Sequence, residues 1–132
     1  MKASELTVSD LMTTQLITIK ASEPLKEARA DMQIGVIRHL PVVDDRGRLV
    51  GVVSDRDLLA TKRAQRVADV MTRDVITTRP DASAVEAASA MLDNKISSVL
   101  VVDDTMQLVG MVTQTDYLEL ARRALLGLPL ER

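Results

Sequence analysis

Two seven-residue stretches carry the side chains best suited to chemistry: Gly51-Val52-Val53-Ser54-Asp55-Arg56-Asp57 and Gly110-Met111-Val112-Thr113-Gln114-Thr115-Asp116. Each has a glycine, two apolar residues, a hydroxyl residue and, three positions later, an aspartate. At a strand-to-helix junction this spacing is first of all a capping box. The hydroxyl accepts from a first-turn N–H and the acid reaches back to the cap backbone, which stabilises by about 1 kcal/mol. The same geometry also suits a ligand. A helix N-terminus offers free N–H groups and a partial positive charge to a phosphate, and the hydroxyl can join them. An aspartate one turn on can accept both hydrogen bonds from the cis hydroxyls of a ribose, and the glycine permits close backbone approach. Both roles can hold at once, the cap loosening when a ligand arrives. Arg56 lies inside the first motif, where a guanidinium suits phosphate; its counterpart in the second is Thr115.

Other polar residues offer less. His39 is the only histidine and the chain has no cysteine, whereas a metal site wants three or four ligands. His39 is therefore read as a nucleotide-edge contact or a half-buried polar residue, with no metal. The paired acids Asp44-Asp45 and Asp103-Asp104 sit where hairpin turns are expected. Met12, Met32, Met71, Met91 and Met111 fall at apolar positions and read as core filler. No nucleophile–base pair, metal cluster or phosphate loop with a lysine is apparent, so the chain does not read as an enzyme.

The elements that must position these motifs come from an internal duplication. Shifting the sequence by 59 residues lays Val8–Leu59 on Val67–Leu118 without a gap, and 20 of the 52 aligned positions are identical. We therefore divide the chain into a repeat over residues 1–66, core 8–59, and a repeat over 67–132, core 67–118. Each opens on a short helical turn (Val8–Met12, Val67–Met71) and continues into a short β-branched strand (Leu16–Ile19, Val75–Thr78). A helix comes next, capped by Ser22 with Pro24 in its first turn, or by Asp81. Its inward face is Leu25, Ala28 and Met32 in one repeat, and Val85, Ala88, Met91 and Leu92 in the other. Gly35 and Asn94 are expected to take the left-handed conformation that ends these helices. Two apolar strands joined by the acidic turns come after it, then a second helix from Arg56 to about Lys62 and from Thr115 to about Leu126. The fold class is α+β with an α/β-like order, β-α-β-β-α twice.

At 132 residues the two halves together can bury roughly two-thirds of the unfolded surface, so one shared core is expected. Aromatic stacking is almost unavailable, since Tyr117 is the only aromatic residue. Net charge is −2. Residues 1–66 carry 11 basic and 9 acidic side chains and residues 67–132 carry 6 and 10. The basic knot Lys62-Arg63-Ala64-Gln65-Arg66 reads as a solvated linker or a phosphate-facing patch, too small to imply nucleic acid. Met1–Asp10 is no signal peptide, and no stretch approaches the roughly 20 apolar residues of a membrane span. The expectation is a cytoplasmic protein that does not enter the membrane. The apolar tail Leu125–Leu130 could pack on a partner subunit.

Three motifs occurring twice, Val-x-Asp-apolar-Met-Thr, an apolar strand ending Val-Val-Asp-Asp, and Gly-x-Val-Ser/Thr-x-x-Asp, resemble the CBS domain, named after cystathionine β-synthase. Two in tandem resemble a Bateman module, and the match covers about 110 of the 132 residues. The resemblance implies two pseudo-two-fold repeats packed through their sheets, two clefts, and dimers of modules. It implies no required cofactor but a regulatory ligand, AMP, ADP, ATP or S-adenosylmethionine. Carried over by position, cleft A would use Ser54, Arg56 and Asp57, with Thr77 and the backbone of Ser98 and Val99 opposite. Cleft B would use Thr113 and Asp116, with Thr18, Lys20, His39 and Leu40 opposite. The function implied is a sensor that signals to a separate effector protein, as a homodimer. The alternative is a dimerisation or docking module whose clefts stay empty.

Overall fold

This computed structural model describes residues 2–59 and 65–131. Two three-stranded sheets carry the fold. In the first, β1 (Ile19–Lys20) runs parallel to β2 (His39–Val43), which pairs antiparallel with β3 (Leu49–Ser54). The second repeats this order with β4 (Thr77–Thr78), β5 (Ser98–Val102) and β6 (Leu108–Thr113). The α-helices are α1 (Val8–Leu11), α2 (Leu25–Gly35), α3 (Ala84–Asn94) and α4 (Gln114–Leu125). The mixed α+β reading holds, and each repeat's parallel-then-antiparallel sheet is the one its strand order requires.

The compact units do not coincide with the sequence repeats. The chain changes unit at Leu16/Ile17, Val75/Ile76, Asp104/Thr105 and Leu108/Val109. One unit, called here the α4 unit, holds α1 together with β4, α3, β5, α4 and all of β6 beyond Leu108. The other, the α2 unit, holds β1, α2, β2, β3 and the opening turn of repeat 2, Val67–Asp69. The opening segments are thus exchanged. Leu6, Val8 and Leu11 are buried with Ala87, Met91, Val101 and Val112 in the α4 unit. Val67 is buried with Ile19, Leu25, Ala28, Val42 and Val53 in the α2 unit. Where one shared core was expected, the buried apolar residues form two clusters, each completed by the other repeat's opening turn.

Helix limits correct several expectations. Pro24 and Ser83 occupy the N-cap positions, two residues beyond Ser22 and Asp81. The Ser83 hydroxyl accepts the Glu86 N–H at 3.1 Å. Starting at Ala84, α3 turns Ala84, Ala87 and Met91 inward and leaves Val85 and Leu92 57% and 79% exposed. That is the same face as Leu25, Ala28 and Met32 of α2, so of the face expected for α3 Met91 holds, while Ala84 and Ala87 are buried where Val85 and Ala88 were expected. At the other end, Gly35 and Asn94 are still helical. The left-handed residues are Val36 (φ 52°) and Lys95 (φ 54°). The Ile37 and Ile96 N–H groups then reach back to Met32 and Met91 at 3.0 Å, closing each helix as a Schellman motif.

The first strands begin later than expected, at Ile19 and Thr77. The acidic turns are hairpin tips as read. Asp44 Oδ1 accepts the N–H groups of Arg46 and Arg48, each at 2.9 Å, and Gly47 takes a positive φ of 80°. The Arg48 N–H is the main influence holding the Asp44 carboxyl below its usual range. In the second tip Met106 takes the left-handed place of Gly47, at φ 67°. The tail is partly folded back. Leu130 packs against the α4 unit's own core, and Arg123 Nε donates to the Pro129 carbonyl at 2.6 Å.

Candidate functional site

Each Gly-x-Val-Ser/Thr-x-x-Asp stretch runs from the last strand of a sheet into a turn. In the first, the Ser54 N–H donates to Asp57 Oδ2 at 2.8 Å, and the Asp57 N–H donates to Ser54 Oγ at 3.2 Å. In the second, the Thr113 N–H donates to Asp116 Oδ2 at 2.8 Å, and the Asp116 N–H donates to Thr113 Oγ1 at 3.3 Å. The capping boxes read from the sequence are both formed. Hydroxyl, carboxylate and two N–H groups are gathered at one chain turn, the set that could receive a diol or a phosphate.

The two motifs differ in the helix they open and in burial. Thr113 caps α4, whereas Asp57 opens a single 3-10 turn, Asp57–Leu59. The helix expected from Arg56 to Lys62 is therefore a 3-10 turn as far as Leu59, and its remainder lies outside the described residues. Arg29 Nη2 donates to the Leu58 carbonyl at 2.9 Å, holding that turn against α2. Asp57 is half-buried and Arg56 exposed, while Asp116 is only 6% exposed. Beside Asp116, burial raises the Tyr117 hydroxyl above its usual range, helped by the Asp116 charge; that hydroxyl donates to the Ala84 carbonyl at 2.6 Å.

The glycines serve a purpose other than the one expected. A Cβ on Gly51 would lie 2.7 Å from the Thr72 carbonyl oxygen, and one on Gly110 would lie 2.7 Å from Met12 Sδ and 3.1 Å from the Thr13 carbonyl oxygen. The space they leave is filled by the exchanged opening segment, not held open for a ligand. Val52 and Thr72 exchange backbone hydrogen bonds at 2.9 and 2.8 Å, as do Met111 and Thr13.

Of the residues assigned to cleft A, Ser54, Arg56 and Asp57 lie in the α2 unit, and Thr77, Ser98 and Val99 in the α4 unit. Of those assigned to cleft B, Thr113 and Asp116 lie in the α4 unit, and Thr18, Lys20, His39 and Leu40 in the α2 unit. Within the α2 unit, exposed His39 stands opposite Ser54 in the β2–β3 register, next to the first motif. Thr18 is exposed just ahead of β1, and Lys20 Nζ lies 3.4 Å from Asp45 Oδ1. Leu40 is fully buried in its unit's core, at 0% exposure. Within the α4 unit, Thr77 on β4 pairs with Leu100, and half-buried Ser98 opens β5 beside buried Val99. Among the described residues, no group of three or more His, Asp or Glu side chains gathers as a metal site, and no helix is long and apolar enough to cross a membrane.

Two features escaped sequence reading. Thr7-x-x-Asp10 forms a further box, its Thr7 N–H donating to Asp10 Oδ2 at 2.8 Å. Its spacing equals that of the two motifs, so spacing alone does not mark a ligand site; the preceding Gly-x-Val strand is what separates them. The second is Thr13, whose hydroxyl donates to Asp116 Oδ1 at 3.2 Å across 103 residues of sequence. Its only signal was the repeated Met-Thr of the opening turn.

Comparison with known proteins agrees with the fold. The CBS domain family model matches residues 8–63 and again 67–123. CBSX2 from Arabidopsis thaliana, whose crystal structure contains AMP, superposes with a TM-score of 0.83 at 31% identity, covering 90% of this chain and 98% of that one. The CBS domain pair of protein MJ0100, in complex with 5′-methylthioadenosine and S-adenosyl-L-methionine, gives 0.77 at 32% identity, covering 89% and 97%. Inosine-5′-monophosphate dehydrogenase of Methanocaldococcus jannaschii is 34% identical over 89% of this chain, which spans 23% of that enzyme's length. The first curated relatives are in general about four times longer than the matched region. Two matched halves, each ending its last strand in the same hydroxyl–aspartate box, make this chain a member of the CBS domain family, as a tandem CBS pair.

Proposed function

We propose that this CBS pair is a regulatory, non-catalytic module that binds an adenosyl ligand, AMP, ADP, ATP or S-adenosylmethionine, in the cytoplasm, and passes its occupancy to a separate effector protein. The observation that carries this reading is the pair of formed boxes, in which hydroxyl, carboxylate and N–H groups satisfy one another at close range. Such groups can trade partners with a ribose diol or phosphate without leaving a polar atom bare. The adenosyl ligands bound by similar CBS pairs fit that chemistry. The clefts would combine each motif with strand residues of the other repeat: Ser54, Arg56 and Asp57 with Thr77, Ser98 and Val99; Thr113 and Asp116 with Thr18, Lys20, His39 and Leu40. Exposed Arg56 would favour a phosphorylated ligand at the first motif, and Thr115 a less charged one at the second. Ligand acts by population shift, favouring whichever arrangement it binds more tightly.

Calorimetric titration with AMP, ADP, ATP and S-adenosylmethionine tests this. Asp57→Ala and Asp116→Ala are each expected to remove one binding event, and Arg56→Ala to weaken ADP about tenfold, the loss of one charge-assisted hydrogen bond. No heat from any of these ligands with folded wild-type protein overturns the reading.

The docking alternative draws on a different observation. On α4 and at its C-cap, Leu118, Leu125 and Leu126 are 71%, 87% and 66% exposed. An apolar row on a surface helix fits a second copy of the chain, and we assign a homodimer to both readings.

A further inference from the structure

We infer that the Thr13 hydroxyl is a latch on Asp116, and that this latch makes the second motif the weaker binding element. The inference rests on the adenosyl reading for its ligand, but the latch itself is a feature of the α4 unit alone. The Asp116 carboxylate is buried, at 6% exposure. Its Oδ2 accepts from the Thr113 N–H at 2.8 Å and the Thr113 hydroxyl at 3.1 Å. Its Oδ1 accepts from the Thr13 hydroxyl at 3.2 Å. The first two donors belong to the box. The third comes from the exchanged opening segment, and its backbone cannot drift. The Thr13 N–H donates to the Met111 carbonyl at 2.8 Å, and the Met111 N–H donates to the Thr13 carbonyl at 2.9 Å. Gly110 leaves the room that this close pairing needs.

The first motif supplies an internal comparison. Thr72 is the repeat equivalent of Thr13 and makes the same reciprocal backbone pair, with Val52. Among the described residues, however, its hydroxyl makes no hydrogen bond to Asp57, which is half-buried and held at Oδ2 by the Ser54 N–H. Backbone exchange is common to both repeats; the hydroxyl-to-carboxylate bond is present only in the second. A diol arriving at Asp116 must displace Thr13 as well as open the box, whereas a diol arriving at Asp57 opens the box only. Without the Thr13 hydroxyl, an incoming diol has one bond fewer to displace at the buried carboxylate, so binding tightens.

The test uses the full chain with ADP as probe, in an Asp57→Ala background that leaves only the second motif. Thr13→Val keeps the side-chain shape and the backbone pairing but removes the donor. ADP binding at the second motif is expected to tighten about tenfold, the worth of one hydrogen bond to a charged group. Thr13→Ser is expected to restore the parent affinity, and Thr72→Val to leave it unchanged. Equal or weaker ADP binding in folded Thr13→Val protein overturns the inference. A ligand-independent reading comes from amide hydrogen exchange at Thr113 and Asp116, expected to quicken about tenfold in Thr13→Val and not in Thr13→Ser. If no adenosyl ligand binds any form, the adenosyl reading fails, and exchange still decides the latch: quickened exchange upholds Thr13's hold on Asp116, and unchanged exchange refutes it.

Discussion

The glycines of the two motifs show how a residue can be correctly singled out for the wrong reason. Gly51 and Gly110 stand where a ligand's backbone contact was expected, yet what presses on them is the chain itself. The two clashes differ in kind. At Gly51 a methyl would meet the Thr72 backbone carbonyl, which is fixed by its pairing with Val52. At Gly110 the nearest atom is the side-chain Met12 Sδ at 2.7 Å, and the Thr13 backbone carbonyl oxygen stands farther off at 3.1 Å. Gly51→Ala is therefore expected to destabilise by about 2 kcal/mol and Gly110→Ala by about half as much. Urea unfolding reads this as a lowered midpoint at unchanged slope, and equal losses would contradict the account. Residue types and spacing made Ser54, Asp57, Thr113 and Asp116 legible. Thr13 stayed hidden because its partner lies 103 positions away, beyond any local pattern.

At the level of elements, period and composition located the described α-helices and strands within a few residues, but the ends escaped. A helix ends at the residue whose backbone turns left-handed, and glycine or asparagine is only the usual occupant of that place. Here both sit one position early, and valine and lysine take the strained conformation at φ 52° and 54°. The return bonds of Ile37 and Ile96 hold them there. Left-handed backbone costs a β-branched residue most, and Val36 is 89% exposed, so little burial is lost on its removal. Val36→Gly is expected to raise stability by about 1 kcal/mol, and Lys95→Gly by less. A fall in the thermal midpoint of Val36→Gly would show that the valine has a packing role in the assembled protein. The same logic holds at the hairpin tips, where Met106 takes at φ 67° the left-handed place that Gly47 takes in the first repeat.

For the molecule as a whole, the duplication was plain in the sequence, but the exchange of opening segments was not. A repeat found by sliding a sequence along itself shows what is duplicated; it carries no record of which copy each piece packs against. The leucines of α4 bear on assembly. In the proposed homodimer, Leu118→Glu is expected to convert a species of about 29 kDa, twice the 14.4 kDa chain, to monomer, because a buried charge without a partner costs several kcal/mol. Light scattering at tens of micromolar reads this directly, and a wild-type monomer there would remove the dimer. The exchange also bears on synthesis. Leu6, Val8 and Leu11 are made before the strands and helix that bury them, which run up to Val112. These three residues must wait until most of the second repeat has been translated. A nascent protein stalled after the first repeat would present three unburied aliphatic side chains to any chaperone nearby.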